Sequence, residues 1–338
     1  KAIHAVIDGL TKTYKKGNIV NAVAKSEELS EDGLTHTYKL RKDVKWTNGD
    51  PVTAHDFVYA WQRIFRKKGS YYYMFADGIA SIEGAQELSD KIDAGEELTD
   101  DDLNSMGVKA IDDYTLEVKT TVRVSFFDEL MAFPCFFPIN EKFCEKQGDK
   151  YGKSAKAILG NGAFIMTNWE PGSIAEFKKN EDYYEAKTVK IEKLVMKLVQ
   201  DPKVAAQSFM AGETDYAPIT SDLVDKYKDD ESFKQVPEGF LYYLSVNFQN
   251  EDLANANIRQ AVSLSINRKD LCEKVLKDGS SAATGFIPKG VATSPDGKDF
   301  REESGTYITY SQSKAQHALD QGLKELGKSE IKLRITYG

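Results

Sequence analysis

The stretch from Asn48 to Gly69 constrains the fold more than any other part of the sequence. Asn48-Gly49-Asp50-Pro51 is a turn signal. Thr53, followed three residues later by Asp56, is a variant of the capping box that starts a helix. Phe57, Ala60, Trp61 and Ile64 then fall at i, i+3, i+4 and i+7, which puts them on one face. Arg63, Arg66, Lys67 and Lys68 sit at the negative end of the helix dipole, and Gly69 stops the helix. A helix with a single apolar stripe is stable only against a second layer. That layer is supplied upstream. The Asp32-Gly33 turn is followed by Leu34-Thr35-His36-Thr37-Tyr38-Lys39-Leu40-Arg41, a β-rich strand of an antiparallel hairpin, so the sequence predicts a helix packed on a sheet.

The rest of the chain mixes strands and helices. Strands are predicted at Leu116–Lys119, from Phe164 toward Trp169, at 192–200 and from Phe240 to Phe248. Helices are predicted at Val204–Met210, around Ile258-Ala261-Val262-Ser265, after Asn267 and Asp270, and over 312–326 up to Gly327. Phe126 to Phe137 is an apolar run ended by Pro138, and 87–102 is an acidic, solvated stretch. Ile331, Leu333, Ile335 and Tyr337 alternate with Lys332, Arg334 and Thr336, the pattern of a half-buried strand. The fold class is α/β mixed. The chain opens at Lys1 without Met or leader and closes inside that alternating pattern, so a processed or cut chain is expected.

Charge narrows the function. With 45 basic against 53 acidic residues, the net charge of −8 argues against nucleic acid or an anionic membrane, whose binders cluster Lys and Arg. No segment nears the ~20 apolar residues that span a bilayer. Four His and three Cys are too scattered for a metal cluster. Cys135, Cys144 and Cys272 read either as three buried thiols or as a Cys135–Cys144 pair with one thiol left over. No Gly-x-Ser-x-Gly, Walker or dinucleotide motif is present. His55-Asp56 lies at a helix start, and Gly160-Asn161-Gly162 is too short for a phosphate loop. No catalytic residue, cofactor or metal site is expected. Recognition remains: Tyr71 to Tyr73, Trp169 and Tyr242-Tyr243 offer rigid surface with polar tips, and the same residues also fit core or strand faces.

The run Asp32 to Arg41, followed by Lys45-Trp46-Thr47-Asn48-Gly49-Asp50-Pro51-Val52-Thr53-Ala54-His55-Asp56-Phe57, resembles the signature of oligopeptide-binding proteins, the solute-binding receptors of peptide ABC transporters. Further stretches match in order: Ile7-Asp8-Gly9-Leu10, Gly160 to Phe164, Phe209 to Asp215, Tyr242-Tyr243 through Asn247, and Ile258 to Arg268. The resemblance covers nearly the whole chain. It departs at Asp8, where the family usually has Glu, and at Asn267, where Asp is usual; both changes are expected to be mild.

The resemblance implies a periplasmic-binding-protein-like two-lobed receptor with an α+β domain inserted early in the first lobe. On that reading residues 1–37 and 166–239 form the first lobe, 38–165 the inserted domain, and 240–338 the start of a second lobe that is incomplete. An extended oligopeptide would lie between the lobes, pairing its backbone with strand edges while its side chains enter wet pockets. The implied partners are that peptide and the membrane permease subunits of an ABC importer. The implied location is extracytoplasmic, as a cell-surface lipoprotein or in a periplasm. Tyr71 matches a cleft tyrosine of the inserted domain. Tyr243 and Ser245 match the strand entering the far lobe, where some relatives carry an acid in place of Ser245. Asn247 and Gly162 sit in matching motifs that also suit scaffolding. Two other readings stand beside this one: a secreted hydrolase using carboxylates, and a sister receptor for nickel chelates.

Overall fold

The capped helix forms as expected. In the computed structural model, which describes residues 2–336 except 221, 237 and 295, it runs over Ala54–Arg66. The Thr53 backbone N–H donates to Asp56 Oδ2 at 2.7 Å, and the buried Trp46 indole donates to the same oxygen at 3.2 Å. Phe57, Ala60 and Trp61 are buried together with Phe65; Ile64 is only half-buried. The stripe therefore runs one residue further along the helix than its first four positions suggest.

The chain divides into two compact units, Lys1–Leu198 and Val199–Gly338. In the first, α1 (Ile3–Val6) leads into the hairpin β1 (Thr11–Thr13) and β2 (Ile19–Asn21), then β3 (Ala24–Leu29) and β4 (Thr35–Leu40). The long helix is α2. After it come α3 (Ala85–Asp93), α4 (Asp100–Asn104), β5 (Val108–Asp112), β6 (Thr115–Lys119), α5 (Phe127–Met131) and α6 (Glu141–Gln147). β3-β4-β6-β5 form an antiparallel sheet. Tyr38 pairs with Leu116 and His36 with Val118, and all four are buried on the helix-covered core side. Alternation on β4, with His36, Tyr38 and Leu40 in, is what period-2 geometry requires of a sheet with one dry face. His36 Nδ1 meets Glu27 Oε1 at 2.5 Å and holds that carboxyl below the usual range, while Tyr38 donates to Asp128 of α5 at 3.1 Å.

A second antiparallel sheet has β7 (Phe164–Glu170), β8 (Ile174–Lys179) and β9 (Lys193–Lys197). It packs with Val6, Ile7 and Phe137 around Phe177. The three cysteines are free thiols, and burial pushes the Cys135 thiol up to about 12, which keeps it protonated and inert.

The second unit contains α7 (Pro202–Met210), α8 (Asp222–Tyr227), α9 (Glu251–Ala254), α10 (Ala256–Ser265), α11 (Arg268–Asp270), α12 (Phe300–Ser304) and α13 (Gln312–Leu326). α10 and α13 pack closely: a Cβ on Gly322 would come within 2.6 Å of Ile258 Cδ1. The strands expected at Phe240–Phe248 and at 331–336 are not formed, and Tyr337 lies outside the described residues. Alternation sets which side chains could share a face, but a strand exists only where a neighbour completes its ladder, and no such neighbour is present among the described residues of this unit.

Candidate functional site

Two of the five residues singled out lie in the first unit and three in the second, so each group is described by itself. Tyr71 follows the end of α2. The Gly69 N–H closes on the Ile64 carbonyl, and the chain turns into a short 3₁₀ segment, Tyr72–Phe75. This segment sorts its aromatics. Phe75 is buried against Trp61, Phe65 and Phe136, and the Tyr72 hydroxyl is fixed by Asp93, while Tyr71 and Tyr73 face solvent. The Tyr71 ring stands edge-on to Phe133, centroids 5.7 Å apart.

Gly162 is buried under the backbone of α1. Its N–H donates to the Val6 carbonyl at 2.9 Å, and a Cβ there would stand 2.7 Å from Val6 C and 2.9 Å from Ile7 N. Its role is close backbone approach, which only glycine allows here. Gly162→Ala is expected to destabilise by about 1–3 kcal/mol, because main-chain atoms cannot step aside as a side-chain tip can. Thermal unfolding checks this; an unchanged melting temperature with lost ligand binding would instead make Gly162 a contact residue.

In the second unit Tyr243, Ser245 and Asn247 are exposed, with Tyr243 leaning toward Phe286 at 6.3 Å. Asn247 accepts the Gln249 N–H on its side chain at 2.9 Å and the Asn250 N–H on its carbonyl at 3.2 Å, which makes it a turn former that leads into the capped start of α9. Trp169 lies on β7 and Tyr242 is exposed.

The residue reading missed a buried polar cluster in the first unit. The Asp8 carboxylate accepts from the Tyr183 hydroxyl at 2.6 Å and the Tyr184 hydroxyl at 2.9 Å. Its backbone is clasped by the Asn161 side chain, which accepts the Asp8 N–H at 2.8 Å and donates to its carbonyl at 3.2 Å. Lys12 Nζ bonds both phenols and Glu185. Burial, then the Asp8 charge, pushes both phenols up, so they act as donors throughout the physiological range. The Asp8-Gly9-Leu10 and Gly160-Asn161-Gly162 stretches were visible as separate motifs, but not their pairing with each other or with Tyr183 and Tyr184, more than 150 positions from Asp8. Among the described residues no group of three His, Cys, Asp or Glu side chains converges as metal ligands would, and no helix is long and apolar enough to cross a membrane.

Solved structures share the fold of this chain. The chain aligns with Listeria monocytogenes OppA bound to peptide over 98% of its length and 64% of that chain, with TM-score 0.80 and 32% identity. It aligns with the substrate-binding domain of an oligopeptide ABC transporter from Bacillus anthracis over 98% and 63%, with TM-score 0.78 and 36% identity. The fold is thus mixed α/β, of the periplasmic-binding-protein-like class. Among curated relatives, the dipeptide-binding protein DppE of Bacillus subtilis is 33% identical over 336 residues, 99% of this chain and 60% of the relative. Residues 18–337 match the model of the bacterial extracellular solute-binding proteins, family 5 Middle, and the chain belongs to that family. It spans about 60% of the length of three curated peptide-binding relatives that it matches.

Proposed function

We propose that this chain is the larger part of a receptor that captures extended oligopeptides and delivers them to the permease subunits of an ABC importer. The observation that carries the reading is its alignment, over 98% of its length, with a receptor whose structure holds a peptide. A second support is physical. The side chains best suited to ligand contact, Tyr71, Tyr73 and Tyr243, are exposed aromatics rather than paired acids and bases. Such rings give contact area at little entropic cost and fit recognition better than turnover. In the same reading residues 1–37 and 166–239 belong to the first lobe, 38–165 to the inserted domain and 240–338 to the second lobe; Tyr71, Tyr243, Ser245, Asn247 and Gly162 line or support the ligand site. The receptor works outside the cytoplasm, as a surface lipoprotein or a periplasmic protein, and is not an enzyme.

The test is native mass spectrometry of the protein at its natural length, mixed with short peptides. Peptides are expected to bind and to be recovered intact. Cleavage continuing beyond one equivalent, or no peptide retained from any mixture, overturns the reading.

A further inference from the structure

α5 is only five residues long, too short to stand by its own hydrogen bonds, so its place on the sheet depends on what grips it. Tyr38 of β4 is fully buried, and its hydroxyl donates to Asp128 Oδ1 of α5 at 3.1 Å. Glu27 of β3 stands directly opposite Tyr38 in the antiparallel register and is partly buried. The buried His36 ring stacks on Phe127 of α5 with centroids 4.2 Å apart, and its Nδ1 meets Glu27 Oε1 at 2.5 Å. Both carboxyls lie within hydrogen-bonding reach of the Tyr38 hydroxyl and of each other. β6 adds Val118 opposite His36, and β1 adds Thr11, whose hydroxyl donates to the Asp128 carbonyl at 2.6 Å; neither side chain titrates.

A count of hydrogens shows what holds the two acids together. The phenol has one hydrogen to give, and it goes to Asp128. The imidazole reaches Glu27 through Nδ1, and its buried Nε2 has no partner among the described residues, so the ring supplies a single bond here. No hydrogen is left over for the contact between Glu27 and Asp128. Two ionised carboxylates in a partly buried place repel each other, whereas one proton between them makes the contact a charge-assisted hydrogen bond. We propose that Glu27 and Asp128 share one proton, held in place by Tyr38 and His36, and that this proton fastens α5 to the edge strand of the sheet. The proton rests on Asp128: burial, then the Glu27 charge, raises that carboxyl above its ordinary range, while Glu27 is lowered chiefly by its bond from His36. The fastening stands independently of the peptide-receptor reading.

The consequence is a stability that depends on pH from both sides. Asp128, raised by the fold, contributes stability that is full below its unfolded-state pKa and is lost as pH rises through the folded one. Glu27, lowered by the fold, contributes stability present above its unfolded-state pKa and lost as pH falls through the folded one. The fastening is therefore strongest in the weakly acid range between them. Thermal unfolding of the protein at its natural length, followed across pH, reads this. Asp128→Asn copies the protonated acid, so it should melt with the parent near about pH 4.5 and several degrees above it near about pH 7.5. A tenfold change in the proton's affinity corresponds to about 3–5 °C in a unit of this size. Glu27→Gln reaches the same pair from β3 and keeps the test open should the first variant not fold; it should lose the parent's decline on the acid side. Glu28→Gln, an exposed neighbour on β3, should follow the parent throughout. A gap between Asp128→Asn and the parent that is the same at both pH values means that no proton is shared and overturns the proposal. So does a Glu27→Gln protein that declines in acid as steeply as the parent, and so does a loss with rising pH that Asp128→Asn retains, which assigns the titration to His36.

Discussion

Trp61→Ala is expected to cost about 3–5 kcal/mol, the usual range for truncating a fully buried large aromatic. The first unit should then melt roughly 6–20 °C lower, since about 2–4 °C is lost per kcal/mol in a unit of this size. The ring is fully buried and lies edge-on to Phe75 and Phe136, each at 5.6 Å between centroids. Its indole N–H donates to the Phe136 carbonyl at 3.0 Å, fastening α2 to the segment after α5. Alanine leaves a cavity between these elements and strands the carbonyl. Trp61→Phe refills most of the cavity but still strands it, so a smaller loss of about 1–3 kcal/mol is expected. Thermal melts of the three proteins should rank in that order. Equal melting temperatures with lost peptide binding would make Trp61 a ligand contact.

Much of the first unit could be read from sequence because its instructions are local. Thr53 and Asp56 are three residues apart, and the Phe57-Ala60-Trp61 stripe needs nothing beyond helical geometry to be seen. Leu34 to Arg41 was equally plain, since alternation on β4 directly sets which side chains are buried. Alternation failed at Phe240–Phe248 and 331–336, where the pattern is present but the partner strand is not. The apolar run was opaque for a different reason. Phe126 to Phe137 read as one apolar block, whereas the helical turn at Phe127–Met131 buries Phe127 and Met131 and leaves Phe126 and Phe133 exposed. Of the proposed site residues, Tyr71 was legible as part of an aromatic run, whereas its contact with Phe133, sixty-two positions on, was not. Gly162 stood out as a motif, but its physical reason, the backbone of Val6 pressed against it, required the fold.

The Asp8 cluster shows what such long-range pairing contributes, and its removal should be nearly as damaging as the loss of Trp61. Asp8→Ala takes the acceptor from two buried phenols at once and removes one of the two carboxylates near Lys12. Breaking a buried, hydrogen-bonded charge cluster at one partner typically costs about 3–5 kcal/mol, because the groups left behind stay desolvated. The lower end is expected here, since Lys12 keeps Glu185 and both phenols as partners. Asp8→Asn keeps an acceptor oxygen and should lose less. Tyr183→Phe removes a single donor and should cost about 1 kcal/mol, the net value of one hydrogen bond. A double-mutant cycle of Asp8→Ala with Tyr183→Phe should be clearly non-additive, because once the acceptor is gone the phenol has little left to lose. Asp8→Glu is the informative conservative change. The added methylene pushes the carboxylate into phenols that already sit at 2.6 and 2.9 Å, so a loss of about 1–3 kcal/mol from overpacking is expected. Strict additivity in the cycle, or an Asp8→Ala protein that melts with the parent, would show that the N-terminal segment is held to residues 183–185 by packing alone.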